Sequence, residues 1–305
     1  MEATDRTPRA EEADAAEARI RRVGVAHSFV GDLSDRGPSR ARPSRARMTL
    51  SALGLALWCV VMPLVYFASR LLGASAASPV HRVFHRGVAR LFGLRLHAIG
   101  TPRRDGGTIW VANHATYLDV FVLGSLLDAS FVAKAEVAAW PVLGKLAKLQ
   151  DTFFFERDPR RSREQIERLR QHLQAGRNLI LFPEGTSTDG VRVQPFRSTL
   201  LEAAVGAEGV AVQPVSIAYT RYDGATMAPA ERDYYAWYLP MTFLPHFLHG
   251  MGLKRADVEV RFRPALAGPD IGDRKSLARR LEEEVRAGLV ASLGDEVVQS
   301  VGAAP

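Results

Sequence analysis

"LILFPEGTSTDG", Leu179 to Gly190, is the stretch on which the reading of the fold turns. A continuous apolar run ends in Phe-Pro-Glu-Gly-Thr, which reads as a strand running straight into a turn. Pro183 and Gly185 shape that turn, and Glu184 projects a carboxylate from it. In doubly wound sheets the carboxyl end of a strand is where ligands bind. Backbone N–H groups around Gly185 are therefore candidates to receive an oxyanion or a phosphate oxygen. Taken alone, the stretch is equally consistent with a tight turn that Glu184 merely caps.

Outward from it the pattern repeats. Short β-type runs at Leu94–Ile99, Thr108–Ala112, Phe131–Lys134, Thr152–Glu156, Asn178–Phe182, Ala211–Tyr219 and Val258–Phe262 alternate with helical stretches. The helices fall near Leu118–Leu127, Val142–Leu149, Arg163–Ala175 and Thr199–Ala204. This alternation predicts an α/β sandwich. Near the C-terminus, "RKSLARRLEEEVRAGLVASL" sets Leu277, Leu281, Val285 and Leu289 on one helix face, predicting a helix that covers the sheet. "YDGATMAPAERDYYAWYLPMTFLPHFLHGMG" is an aromatic insertion before the last strand, suited to a lid, a membrane contact or packing.

Two further stretches carry chemistry. In "WVANHATYLD", Trp110 to Asp119, Thr116 is placed to cap a helix beginning near Tyr117. Asp119 then falls in the first helical turn and can reach back to His114. A carboxylate on one imidazole nitrogen fixes the tautomer and leaves the other as a base. On spacing alone, a quiet structural histidine is the better reading. In "DTFFFERDPRRSREQ", Asp151 to Gln165, Phe153 and Phe155 share a strand face and Arg157 emerges at the strand end, where arginine suits bidentate phosphate binding. Arg160, Arg161 and Arg163 read as a solvated charge run. Lys134 at a strand end and Arg197 in "PFRSTL" are cations able to neutralise phosphate, or equally structural.

The N-terminal part reads differently. Residues 1–47 lack apolar periodicity and are expected to form a disordered, basic, Ala-rich tail. Then "LSALGLALWCVVMPLVYFA", Leu50 to Ala68, carries no charge and is about long enough to cross a ~30 Å hydrocarbon layer. Val80, Val83, Phe84, Val88, Leu91 and Phe92 recur at helical spacing, with His81, Arg82, His85, Arg86 and Arg90 on the other face. That is an amphipathic basic helix suited to a headgroup layer, or to packing on the domain. Arginines flank the apolar run on both sides, so charge selects neither end for the outside, and a monotopic anchor is favoured over a single span. With 305 residues, 47% of them apolar, the chain fits one large α/β domain plus appendages. A net charge of +7 suits nucleic acid, an anionic membrane or a phosphorylated substrate. Cys59 is the only cysteine, which excludes an internal disulfide and a cysteine zinc site.

The ordered set Asn-His-x-x-x-x-Asp, Phe-Phe-x-Arg, Phe-Pro-Glu-Gly-Thr and a Pro-Val within a strand resembles the 1-acyl-sn-glycerol-3-phosphate acyltransferase family over roughly residues 80–265. The resemblance implies an α/β domain, a mixed central sheet flanked by helices, on an N-terminal helical membrane anchor. The domains are then 48–92 for the anchor, 93–293 for the acyltransferase domain and 294–305 for a flexible C-terminal tail. It implies His114 as general base and Asp119 as its partner. It maps Arg157 to the family's acceptor-phosphate arginine, Glu184 and Gly185 to its third block, and Pro214 and Val215 to its fourth. Arg157, Glu184, Gly185 and Pro214, with Thr186 and the cations Lys134 and Arg197 read from their own positions, make up the expected substrate-binding set. No metal and no cofactor are implied. The implied partners are acyl-CoA or acyl carrier protein as co-substrate, a lysolipid acceptor and anionic membrane lipids, and no nucleic acid. The implied place is the cytoplasmic membrane, with the active site facing the cytoplasm. Two departures stand out: Asp151 replaces the glycine that usually opens the second block, and Ser187 replaces an arginine after Phe-Pro-Glu-Gly-Thr. The implied acceptor is lysophosphatidic acid; the Ser187 form, with the later "YAWY", resembles instead the bacterial branch that acylates lyso-ornithine lipid. The competing classes are a non-enzymatic lipid- or nucleic-acid-binding protein, and a hydrolase, for which no Gly-x-Ser-x-Gly elbow is present.

Overall fold

Strand β2 (Thr108–Ala112) is buried at every residue, because the sheet it belongs to is covered on both faces. The computed structural model describes residues 39–71, 73, 80–140, 143–156, 158–238 and 241–299. β2 pairs in parallel with β5 (Leu179–Leu181) on one side and with β6 (Ala211–Tyr222) on the other. β3 (Ser130–Lys134) and β4 (Phe153–Phe155) continue the parallel run beyond β5. Across β6 the direction reverses at β8 (Ala256–Phe262), which carries β1 (Leu94–Ile99) in parallel at the far edge. β7 (Ala225–Thr226) and β9 (Leu266–Ala267) are short antiparallel additions to β6. The sheet is mixed and nine-stranded, in agreement with the expected class.

Alternation along the strands sorts side chains into two cores. Trp110, Ala112 and Ile180 face one layer, built from α1 (Arg45–Leu71), α2 (Val80–Leu91), α3 (Leu118–Leu126) and α6 (Phe243–Gly252). Ile109, Val111 and Leu181 face the other, built from α5 (Pro159–Gln174) and α7 (Arg274–Leu293). Leu277, Leu281, Val285 and Leu289 of α7 are buried there, as their spacing predicted. The expected helix near Val142–Leu149 is α4 (Leu143–Leu149); Val142 itself lies outside the described residues. α5 starts at Pro159 rather than Arg163, because the Asp158 side chain accepts from the Arg160 amide with Pro159 in the first turn.

Pro214 sits inside β6, opposite Val111. Its carbonyl accepts from the Arg263 amide, so its missing N–H faces the same edge of the strand. On that edge β9 pairs only through Val212 and β8 only from Val215. Proline therefore falls where the strand changes partners and no ladder bond is lost. The Gln213 side chain bridges the gap, donating to the Thr101 and Arg263 carbonyls and accepting from Trp110 Nε1. The substrate-binding role expected of Pro214 is thus corrected to a place in the sheet.

Three N- and C-terminal expectations change. The tail was expected to run through residue 47, yet helix α1 begins at Arg45. Arg40 forms a two-pronged ion pair with the fully buried Glu231 (2.6 and 2.7 Å), and the Ser44 amide donates to Gly252 (2.9 Å). Residues 1–38 lie outside the described residues. At the other end, Asp295–Gln299 form a short helix with Val298 buried. On α2, His85 does not join the basic face. It is buried against α3, where Gly124 leaves room for its ring and Gln150 Oε1 partners Nε2 at 2.8 Å.

Candidate active site

β2 stops at Ala112 while β6 runs on beside it, and Asn113 closes the gap. Its side chain donates to the Ile217 carbonyl (3.0 Å) and accepts from the Ile217 amide (2.8 Å), standing in for a further backbone pair. This fixes the chain where it leaves the sheet and turns His114 out at the carboxyl edge. The His114 backbone is held at both ends: its amide donates to Glu184 Oε1 (2.7 Å) and its carbonyl accepts from the Thr188 amide (2.9 Å). The imidazole stacks on Phe182 at 4.2 Å between centroids and keeps 22% of its side chain exposed.

Asp119 stands in the first turn of α3 and is completely buried. Its Oδ2 accepts from His114 Nδ1 (3.0 Å) and from the Ala115 and Thr116 amides (2.7 and 2.9 Å). Its Oδ1 accepts from the Tyr219 hydroxyl at 3.0 Å. With Nδ1–H committed to a carboxylate, the lone pair of the other ring nitrogen, Nε2, is left available to accept a proton. Thr116 bonds the Leu118 amide only at 3.4 Å, so the first turn of α3 is held chiefly by Asp119.

Glu184 departs from its expected role. Instead of projecting into the site it is 3% exposed, with Oε1 on the His114 amide and Oε2 on the Gln194 amide (2.9 Å). It ties three loops together. Burial pushes its carboxyl up to about 8, against the two amide bonds that pull it down. Gly185 adopts φ +68°, and the Arg197 side chain passes within 3.3 Å of where a Cβ would stand. The Gly185 amide is spent on the turn, donating to Phe182 (3.2 Å). Of the amides around Gly185, this one is therefore not open to an oxyanion. The next amide, on exposed Thr186, bonds no other described residue.

Lys134 ends β3 and Arg197 follows the Phe-Pro-Glu-Gly-Thr loop; both are exposed at the carboxyl edge that also carries His114. Arg157 lies outside the described residues. Of its neighbours, Arg161 pairs with Glu156 at 2.7 Å, consistent with a solvated charge run. Sequence reasoning missed Tyr219, Phe182 and Trp237. The Trp237 amide donates to Ala115 (2.8 Å) and its carbonyl accepts from Ser187 Oγ, so the aromatic insertion is laced to the histidine loop. Beside it Trp140, Phe243 and Tyr117 form a packed aromatic wall. No group of His, Cys, Asp and Glu suited to a metal ion occurs among the described residues.

Residues 94–218 match the Acyltransferase family model. The lyso-ornithine lipid O-acyltransferase of Brucella abortus is 40% identical over 225 residues, 71% of this chain and 84% of that protein. That of Rhodobacter capsulatus is 35% identical, covering 84% of this chain and 94% of its own. The 1-acyl-sn-glycerol-3-phosphate acyltransferase of Neisseria gonorrhoeae is 33% identical over 61% of this chain and 71% of its own. In fold, the crystal structure of the 1-acyl-sn-glycerophosphate acyltransferase PlsC from Thermotoga maritima matches with a TM-score of 0.50 at 21% identity, over 85% of this chain and 99% of that one. The chain belongs to the acyltransferase family and is an acyltransferase.

Proposed function

We propose that this enzyme moves a fatty acyl group from a thioester, acyl-CoA or acyl carrier protein, to the free hydroxyl of a lysolipid at a membrane surface. The observation that carries the reading is the bond from His114 Nδ1 to the buried Asp119, with the ring open at the sheet's carboxyl edge. His114 Nε2 takes the hydroxyl proton as the oxygen attacks the thioester carbonyl carbon. The tetrahedral intermediate expels the thiolate, which takes the proton back from the imidazolium, leaving an ester and a free thiol. Asp119 stabilises the imidazolium in between. The Thr186 amide is the candidate oxyanion donor.

For the acceptor, the relatives of widest coverage favour lyso-ornithine lipid. Ser187 supports this, since its hydroxyl is turned onto the Trp237 carbonyl where a phosphate-binding arginine is usual in the wider family. Lysophosphatidic acid is the second reading, favoured by the Neisseria relative and by the exposed cations Lys134 and Arg197. Membranes containing the protein are incubated with one acyl donor and, separately, lyso-ornithine lipid, lysophosphatidic acid and lysophosphatidylglycerol, with products identified by mass. Ornithine lipid as the main product is expected. Thiol release with water alone, and no acylated lipid, would overturn acyl transfer to lipid.

The exposed side of α1 shows Leu50, Leu53, Leu57, Leu64 and Phe67, which suits immersion in lipid. The opposite side of the same helix is packed on the domain, which supports a monotopic anchor; we place the active site on the cytoplasmic face.

A further inference from the structure

A cavity of about 600 Å³ lies away from His114. It follows edge strand β4, on the sheet face covered by α5, opposite the face that carries α1. Lys148 from α4, Arg168 from α5 and Arg177 from the turn before β5 converge on it, against one carboxylate, Asp151. None of the three cations pairs with an acid among the described residues. His172 of α5 also lines it, 5% exposed and edge-on to Phe153 at 4.8 Å. Its Nε2 has no hydrogen-bond partner among the described residues. Burial and the nearby Arg177 pull its pKa down to about 4, so the ring is neutral at physiological pH. Free cations, an orphaned ring nitrogen and aromatic faces together suit a phosphate ester joined to an organic body.

The upper rim, Phe155 and Gln165, stands at the same carboxyl edge of the sheet as His114. Three strand spacings separate β4 from β2, roughly 14 Å. A lysolipid, whose hydroxyl must sit on His114, keeps its headgroup on the membrane side. The soluble donor is different: a long flexible arm separates its thioester from its phosphate, and it arrives from water.

We propose that this cavity holds the phosphate end of the acyl donor, the phosphate common to CoA and to the phosphopantetheine arm of a carrier protein, while the thioester reaches His114. The inference rests on the thioester-dependent reading above. The test compares wild type with Lys148→Ala/Arg168→Ala/Arg177→Ala on acyl-CoA, acyl carrier protein and acyl-pantetheine, which has the same thioester and no phosphate. The expected result is a rise of about tenfold or more in KM for acyl-CoA, with kcat/KM for acyl-pantetheine unchanged. A matching rise for the carrier protein is expected because the phosphate is shared, and a rise confined to acyl-CoA would overturn the assignment to that phosphate. Unchanged KM for both phosphorylated donors, an equal loss with acyl-pantetheine, or a rise confined to the carrier protein would each overturn it. Direct binding of CoA to both proteins is read in parallel. If wild type binds CoA, the triple variant binds it at least about tenfold more weakly, and no donor supports transfer, then the function reading has failed and the cavity assignment stands.

Discussion

At the scale of single residues, the His114–Asp119 pair separates orientation from charge. In Asp119→Asn the amide oxygen can still accept from His114 Nδ1 and the two loop amides, while the NH2 group turns to the Tyr219 oxygen. Folding should therefore survive. The imidazolium, however, loses its anion, and kcat for lysolipid-dependent thiol release is expected to fall by about 10²–10⁴. Tyr219→Phe should act through Asp119 alone: a kcat loss of about tenfold, with stability lowered by about 1–2 kcal/mol. Unchanged kcat in Tyr219→Phe would remove its positioning role. Glu184 gives a pH signature. Its folded pKa of about 8 lies above the ordinary value of 4.5, so burial of the charged form is a cost that appears as pH rises. Stability should be highest below about pH 4.5 with respect to this group and fall up to about pH 8, and thermal melts of Glu184→Gln should lose that slope. His114 and Asp119 were legible in the sequence because five residues spanning a strand end and one helical turn are a local arrangement. Tyr219 was not, since it arrives from 100 positions away. Nor was the inward turn of Glu184, which depends on Gln194 meeting it from another loop.

At the scale of elements, α1 is divided along its length. Gly54, Trp58, Met62 and Tyr66 recur at every fourth position on the packed side. Leu91 lies against Gly54, Trp58 Nε1 donates to the Phe84 carbonyl (3.0 Å), Met62 is buried, and Tyr66 stacks on His81. Leu50, Leu53, Leu57, Val60, Leu64 and Phe67 lie on the other side, each more than half exposed. Burying one leucine in lipid contributes about 1.5–3 kcal/mol, so placing carboxylates there should matter greatly. Leu57→Asp/Leu64→Asp is expected to release the protein from vesicles in a flotation assay while leaving kcat with a soluble short-chain acceptor within about twofold. The apolar run was plain in the sequence, but its two sides were not, because all of them are apolar. The same limit explains His85: helical periodicity put it with the arginines, and only the space left by Gly124 shows why it is buried.

At the scale of the whole molecule, the question is how the domain meets the bilayer. A helix of 27 residues is about 40 Å long, enough to cross a membrane. Yet its packed stripe lies against α2 from Gly54 to Tyr66, and the Ser44 amide just before it is tied to Gly252 of α6. A spanning α1 would have to draw α2, with exposed Arg86 and Arg90, into hydrocarbon. An α1 lying in the plane of one leaflet immerses its outer side and leaves those arginines at the headgroups. Cys59 is the only cysteine, so Cys59→Ser provides a thiol-free background. In that background Ser44→Cys and Arg70→Cys mark the two ends of the helix, both exposed. A membrane-impermeant thiol reagent added to sealed inside-out vesicles, whose cytoplasmic face is outward, should label both positions. Labelling of one end only, with the other protected until detergent is added, would show that α1 crosses.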